Sequence, residues 1–171
     1  MNLLHFVERP NVLSPTMMTL LNEEPPNLPS KLRPPKHFSE EFLRQKLSNL
    51  EYQVTQEKYT EKPFTGKYLR EWSPGVYVCV VCDSSLFNSE TKFDSYTGWP
   101  SFSSVIERQA VNLRVDSSSG SGMRVEASCS QCGAHLGHVF DDGPKPRGVR
   151  YCINSAALKH RPKESAKSSN F

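Results

Sequence analysis

Cys79-Val80-Val81-Cys82 and Cys129-Ser130-Gln131-Cys132 are two CxxC pairs separated by 46 residues. Such spacing lets two tight knuckles close a tetrahedral four-sulfur site. The pairs share a longer frame, Cys79-x-x-Cys82-Asp83-x-x-Leu86 and Cys129-x-x-Cys132-Gly133-x-x-Leu136. Asp or Gly after the second cysteine suits the left-handed backbone of a knuckle. A closed four-cysteine shell leaves no position for water or substrate, so one zinc ion is expected here with a structural role. Redox dithiols of the thioredoxin kind would need a helix opening at a pair, and neither pair is followed by a helical pattern.

The chain around these pairs has 171 residues, enough for one ordinary domain and a single core. A net charge of +3 with 23% charged residues gives no strongly basic surface, so nucleic acid is not expected as a partner. The apolar run Val76 to Val81 is far short of the ~20 residues that cross a bilayer, so no membrane span is expected. Five cysteines are an odd number, and no basic region followed by an apolar stretch precedes them, which argues against a secreted disulfide framework. The expected setting is intracellular and reducing, with the cytoplasm first. A mitochondrial location is the alternative, weakened because Arg9 and His5 are the only basic residues among the first 30 and Glu8 adjoins Arg9.

Seven of the thirteen prolines fall in residues 1–36, and no glycine precedes Gly66, so 1–36 is expected to be a mobile, disordered arm. Order is expected over 37–161. It begins with a short helix capped by Ser39, with Glu40 and Glu41 at its positive end, Phe38 stapled to Leu43, and Leu43, Leu47 and Leu50 on one face. Beyond it, Val76-Tyr77-Val78, Ala110 to Val115, Met123 to Ala127 and Val149 to Ile153 are short runs rich in β-branched or aromatic residues, and all nine glycines punctuate this region. The fold class is mainly β. Residues 162–171, with Lys163 and Lys167, form an expected disordered basic tail.

Removing four ligands leaves Cys152 as the spare thiol, in Arg150-Tyr151-Cys152-Ile153-Asn154. Strand alternation puts Arg150, Cys152 and Asn154 on one face and Val149, Tyr151 and Ile153 on the other. A guanidinium beside a thiol raises its thiolate fraction, so Arg150 is placed to activate Cys152. His135 and His138 flank Gly137 just after the second knuckle, and with the zinc shell already complete they read as site residues. Trp99, between Gly98 and Pro100, reads as a loop aromatic lining a pocket.

From about Gln45 to Lys159 the sequence resembles the methionine-R-sulfoxide reductases of the B class. The resemblance is carried by Gln56-Glu57-Lys58, Ser89 to Ser95, Gly98-Trp99-Pro100-Ser101-Phe102, Cys132-Gly133-Ala134-His135-Leu136-Gly137-His138-Val139-Phe140, Asp142-Gly143-Pro144 and Arg150 to Ala156. It implies two antiparallel β-sheets around a structural zinc held by four cysteines, and reduction of methionine-R-sulfoxide in oxidised proteins, with the free amino acid as a further substrate. Cys152 is then the nucleophile and passes through a sulfenic acid. His138, His135 and Asn154 orient the sulfoxide oxygen, Trp99 receives the methyl group with Phe140 nearby, and Arg150 holds the thiolate or the substrate backbone.

Thr97 stands where many relatives carry a resolving cysteine, which implies regeneration by an external thiol such as thioredoxin. Tyr96 replaces a usual Gly, and Asp83 replaces the Gly common in the first knuckle. A monomer is expected. The competing reading is a zinc-stabilised β binding module without catalysis, which leaves Cys152 and both histidines without a task.

Overall fold

A computed structural model of the chain describes residues 12–23 and 35–164, apart from positions 119 and 121. The arm and tail expectations for 1–11, 24–34 and 165–171 lie outside the described residues. Among the described residues, nine strands form two antiparallel sheets, the architecture that the resemblance implied. Strands β1 (Gly75–Cys79), β2 (Ser85–Asn88) and β9 (Leu158–Pro162) make the smaller sheet in the order β2-β1-β9. The larger sheet contains β3 (Lys92–Phe93), β4 (Ser101–Phe102), β5 (Val111–Asp116), β6 (Arg124–Cys129), β7 (His135–Phe140) and β8 (Arg150–Ile153). Its order is β3-β4-β8-β7-β6-β5.

Aromatic residues join the sheets. Tyr77 and Phe87 of the smaller sheet meet Phe102 and Tyr151 of the larger, with ring centroids 5.1 Å apart for Tyr77–Phe102, 4.3 Å for Phe87–Phe102 and 5.8 Å for Phe87–Tyr151. Three of these four side chains are wholly buried and Tyr151 nearly so, each contributing roughly 1.5–3 kcal/mol of burial. Because Tyr151 and Ile153 are committed to this core, alternation turns Arg150 and Cys152 to the opposite face of β8.

The helices differ from the expectation of one. Helix α2 (Glu40–Lys46) has its Ser39 cap, but it stops at Leu47, and α3 (Asn49–Glu57) begins again at Ser48. Ser48 and Glu51 form a reciprocal capping box, and these local bonds win over a continuous helix. Leu43 and Leu47 are buried as expected, whereas Leu50 lies beyond the break and is 41% exposed. Phe38 stacks on Phe42, with centroids 5.4 Å apart.

A further helix, α1 (Pro15–Asn22), stands within the segment expected to be a mobile arm. Ser14 caps it, Pro15 occupies the first turn, where a missing N–H costs nothing, and Met17 is buried against the body. Glu23 fastens its end to Arg108 at 2.8 Å and Arg147 at 3.5 Å. Proline count alone suggested disorder; the cap and the apolar spacing Met17, Leu20, Leu21 decide otherwise over this stretch.

Candidate functional site

Each CxxC pair sits in the turn of a hairpin, β1–β2 or β6–β7, and the two turns repeat the same bonds. Cys79 N–H donates to Ser84 O and Asp83 N–H to Cys79 O; Cys129 N–H donates to Ala134 O and Gly133 N–H to Cys129 O, all at 2.8–2.9 Å. Asp83 and Gly133 hold the left-handed backbone, with φ of 63° and 75°. This repeat brings the four sulfurs within 4.8 Å of one another, with Cys79–Cys132 at 3.7 Å and Cys82–Cys129 at 3.6 Å. A tetrahedron with Zn–S bonds of about 2.3 Å has edges of about 3.8 Å, so the cluster is already the size of a zinc shell. Cys79, Cys82 and Cys129 are buried and Cys132 is partly exposed.

Cys152 lies mid-sheet, with β4 on one side and β7 on the other. Its cross-strand partners are Ser101 and His138, and His138 is in turn opposite Glu126. Cross-strand partners share a face, so one row places Glu126, His138, Cys152 and Ser101 together, and the neighbouring row places Phe140 opposite Arg150. Odd-numbered His135 would face away from His138 on a regular strand. A bulge in β7, where Ala127 pairs with Gly137 but Ser128 with His135, corrects the parity and sets the two imidazoles 5.4 Å apart. Gly137 allows the close pairing: a Cβ there would collide with the carbonyl oxygen of Cys152.

Each imidazole is held by a carboxylate, His138 Nε2 to Asp116 at 2.9 Å and His135 Nδ1 to Glu126 at 2.8 Å. Burial pulls both histidines below their ordinary pKa, with the carboxylates pulling the other way. Both are therefore neutral at pH 7, one ring nitrogen carrying the proton. Burial pushes Glu126 up, but Lys58 at 2.9 Å and His135 hold it net below the usual carboxylate value. Asp116 is held well below it by the Ser118 hydroxyl first and by His138.

Arg150 makes a two-pronged pair with Asp142, Nε to Oδ1 at 2.8 Å and Nη2 to Oδ2 at 3.1 Å, and its guanidinium lies 4.7 Å from the centre of the Phe140 ring. Burial raises the Cys152 thiol above its ordinary pKa, and the nearby Arg150 charge and hydrogen bond oppose that rise. Trp99 is partly exposed, its indole N–H donating to Glu61 O at 3.0 Å. Thr97, Ser95 and Ser101 form a hydroxyl chain with contacts of 2.8 and 2.7 Å that ends at the residue opposite Cys152. Tyr96, between them, is 86% exposed at φ 56°.

Asn154 departs from the expected open face. It is buried, its Oδ1 accepts Glu61 N–H at 2.9 Å, and its Nδ2 donates to Leu136 O at 3.0 Å. Both amide atoms are thus engaged in the protein frame. The strand ends at Ile153, so alternation ceases to apply one residue before Asn154.

Three acids at the site were not singled out from the sequence. Glu61 is the hub, receiving Ser155 and Ala156 N–H on its carboxylate, holding Trp99 by its carbonyl and Asn154 by its N–H. Glu126 had a readable signal, an acid amid the apolar strand Val125-Glu126-Ala127; Asp116 and Glu61 had none.

A SelR domain family model matches residues 47–162. The mitochondrial methionine-R-sulfoxide reductase B3 of Mus musculus is 57% identical over 129 residues, 75% of this chain and 51% of that protein. Methionine-R-sulfoxide reductase B1 of Drosophila melanogaster is 46% identical over 142 residues, covering 77% and 68%. The peptide methionine sulfoxide reductase MsrB of Pseudomonas putida is 53% identical over 126 residues, covering 74% and 94%. This chain thus spans about half the length of the mouse relative. Among solved structures, the Yippee-like domain of Mis18 overlays with a TM-score of 0.44 at 19% identity, over 54% of this chain and 99% of that one, a likeness too loose to bear on function. With the SelR match across 47–162 and a bacterial relative matched over nearly its whole length, the chain belongs to the methionine-R-sulfoxide reductase B family.

Proposed function

We propose that this protein reduces the R epimer of methionine sulfoxide, in oxidised proteins and as the free amino acid, with Cys152 as the catalytic nucleophile. The observation that carries the reading is Cys152 itself, the cysteine outside the four-sulfur cluster, placed in register with a carboxylate-held imidazole. The Cys152 thiolate attacks the sulfoxide sulfur while His138 and His135 take up a second proton, and the ring nitrogens that their carboxylates leave free hold and protonate the oxygen. Oxygen passes to the cysteine sulfur, giving Cys–SOH and methionine, so the thiol is oxidised and the sulfoxide reduced by one oxygen atom. Arg150, fixed by Asp142, stabilises the thiolate, and Trp99 and Phe140 provide apolar cover for the substrate methyl group. Asn154 serves as a positioning residue, tying the end of β8 to Glu61.

Regeneration consumes two external thiols, which become a disulfide as Cys–SOH returns to the thiol and water leaves; thioredoxin is the reductant class proposed. Zinc held by Cys79, Cys82, Cys129 and Cys132 supplies cross-linking of the two hairpins and no open coordination position. The catalytic unit is assigned to 37–161 and acts as a monomer. No described helix is long and apolar enough to cross a membrane. The cytoplasm is proposed as its location, with the mitochondrion the alternative that the mouse relative's name supports.

The test incubates wild type and Cys152→Ser with each pure sulfoxide epimer and dithiothreitol, then with thioredoxin. Turnover of the R epimer by wild type alone is expected. Equal activity in both proteins, or preference for the S epimer, refutes the assignment.

A further inference from the structure

We propose that Lys36, in the chain just ahead of α2, and Lys46, the last residue of that helix, clamp the four-cysteine centre and set how slowly it loses its metal; this rests on reading that centre as a zinc site. The knuckle's own backbone bonds use the carbonyls of Cys79 and Ser84. Two of the four carbonyls between them are taken by ammonium groups from outside: Lys46 Nζ donates to Val81 O at 2.5 Å and Lys36 Nζ to Cys82 O at 2.9 Å. Lys36 also reaches the other knuckle, its backbone N–H donating to Gln131 O at 2.7 Å. One short segment therefore bridges both halves of the site. The matched family region begins at residue 47, so both lysines precede it.

Charge gives the clamp its direction. Four thiolates around a divalent zinc would sum to −2, and the two ammonium groups bonded to carbonyls of one knuckle bring charge of the opposite sign to its backbone. Lys46 is itself held, 5.9 Å from the Phe38 ring centre and 5.8 Å from that of Phe42, with the Asp83 carboxylate at 3.9 Å. Opening either knuckle would have to break these bonds as well as the metal–sulfur bonds.

The test loads the full chain with zinc and follows its release into a colorimetric chelator, for wild type, Lys36→Met/Lys46→Met and Lys36→Arg/Lys46→Arg. Methionine keeps most of the side-chain stem and removes the charge and donor; arginine keeps both. The Met variant is expected to release zinc about 10-fold faster, as outer-shell losses at metal sites do, with the Arg variant near wild type. If the Met double variant does not fold, the two single Met variants are read the same way, each expected to give part of the acceleration. Release at the wild-type rate from the folded Met variants, or equal acceleration in the Met and Arg variants, overturns the clamp. A wild-type protein that takes up no zinc overturns the metal centre itself, and the epimer assay with Cys152→Ser reports on the catalytic reading separately.

Discussion

Replacing Glu61 tests whether one buried acid holds the site together. Its carboxylate accepts the N–H groups of Ser155 and Ala156, both buried, the second at 3.3 Å. Glu61→Ala strands both donors, at about 1–3 kcal/mol each. Against that loss stands relief of a buried charge, since burial raises the Glu61 pKa above its ordinary value in spite of those two bonds. The net expectation is a loss of about 3 kcal/mol for Glu61→Ala, and about 1 kcal/mol for Glu61→Gln, which keeps one acceptor oxygen but turns a donor toward an N–H. The sign with pH follows from the raised pKa: the folded protein binds the proton more tightly than the unfolded chain. Stability from Glu61 is therefore full below the ordinary carboxylate range and falls as pH rises through the folded value. Urea unfolding of the zinc-loaded proteins at pH 5 and 7.5 measures both effects. The advantage of wild type over Glu61→Gln should shrink from pH 5 to 7.5. An alanine variant within about 0.5 kcal/mol of wild type, or an advantage that grows with pH, would refute the reasoning.

Two further expectations concern the thiol and the loop beside it. In the zinc-loaded protein, iodoacetamide should modify Cys152 with a half-maximal rate above the ordinary thiol value of about pH 8.5, because burial outweighs Arg150. Arg150→Met should move that midpoint higher still; a midpoint below pH 8, or one indifferent to Arg150, contradicts the electrostatic account. Tyr96→Gly should stabilise the fold by about 1 kcal/mol, since a left-handed backbone costs a non-glycine residue roughly 1–2 kcal/mol and glycine gives part of that back as unfolded-chain entropy. A lower urea midpoint for Tyr96→Gly speaks against strain at φ 56°.

Local chemistry was legible where residue type and spacing fix the outcome together. Two CxxC frames with Asp83 or Gly133 after the second cysteine can form similar knuckles, and the structure repeats them bond for bond. Alternation along β8 likewise separated Tyr151 from Cys152. What escaped the sequence was long-range. Glu61 lies 93 residues from Asn154 and 94 from Ser155, and no local period marks an acid whose partners arrive only with the tertiary fold. Asp116 and His138 are 22 residues apart and meet across β5, β6 and β7. The halt of α2 at Leu47 was readable from Ser48-x-x-Glu51, but the leucine spacing masked it. Helix α1 escaped because prolines were counted and not placed, although Pro15 follows a serine cap.

The position of Cys152 within a six-stranded ladder carries a consequence of its own. Its backbone is anchored on both flanks, so the sulfur has only side-chain rotation with which to travel. A thiol borne on a swinging loop can carry its sulfur elsewhere; this one is stationary. Under the proposed function, the molecule that oxidises it and the one that restores it have to approach the same fixed sulfur in turn, so occupancy by either excludes the other.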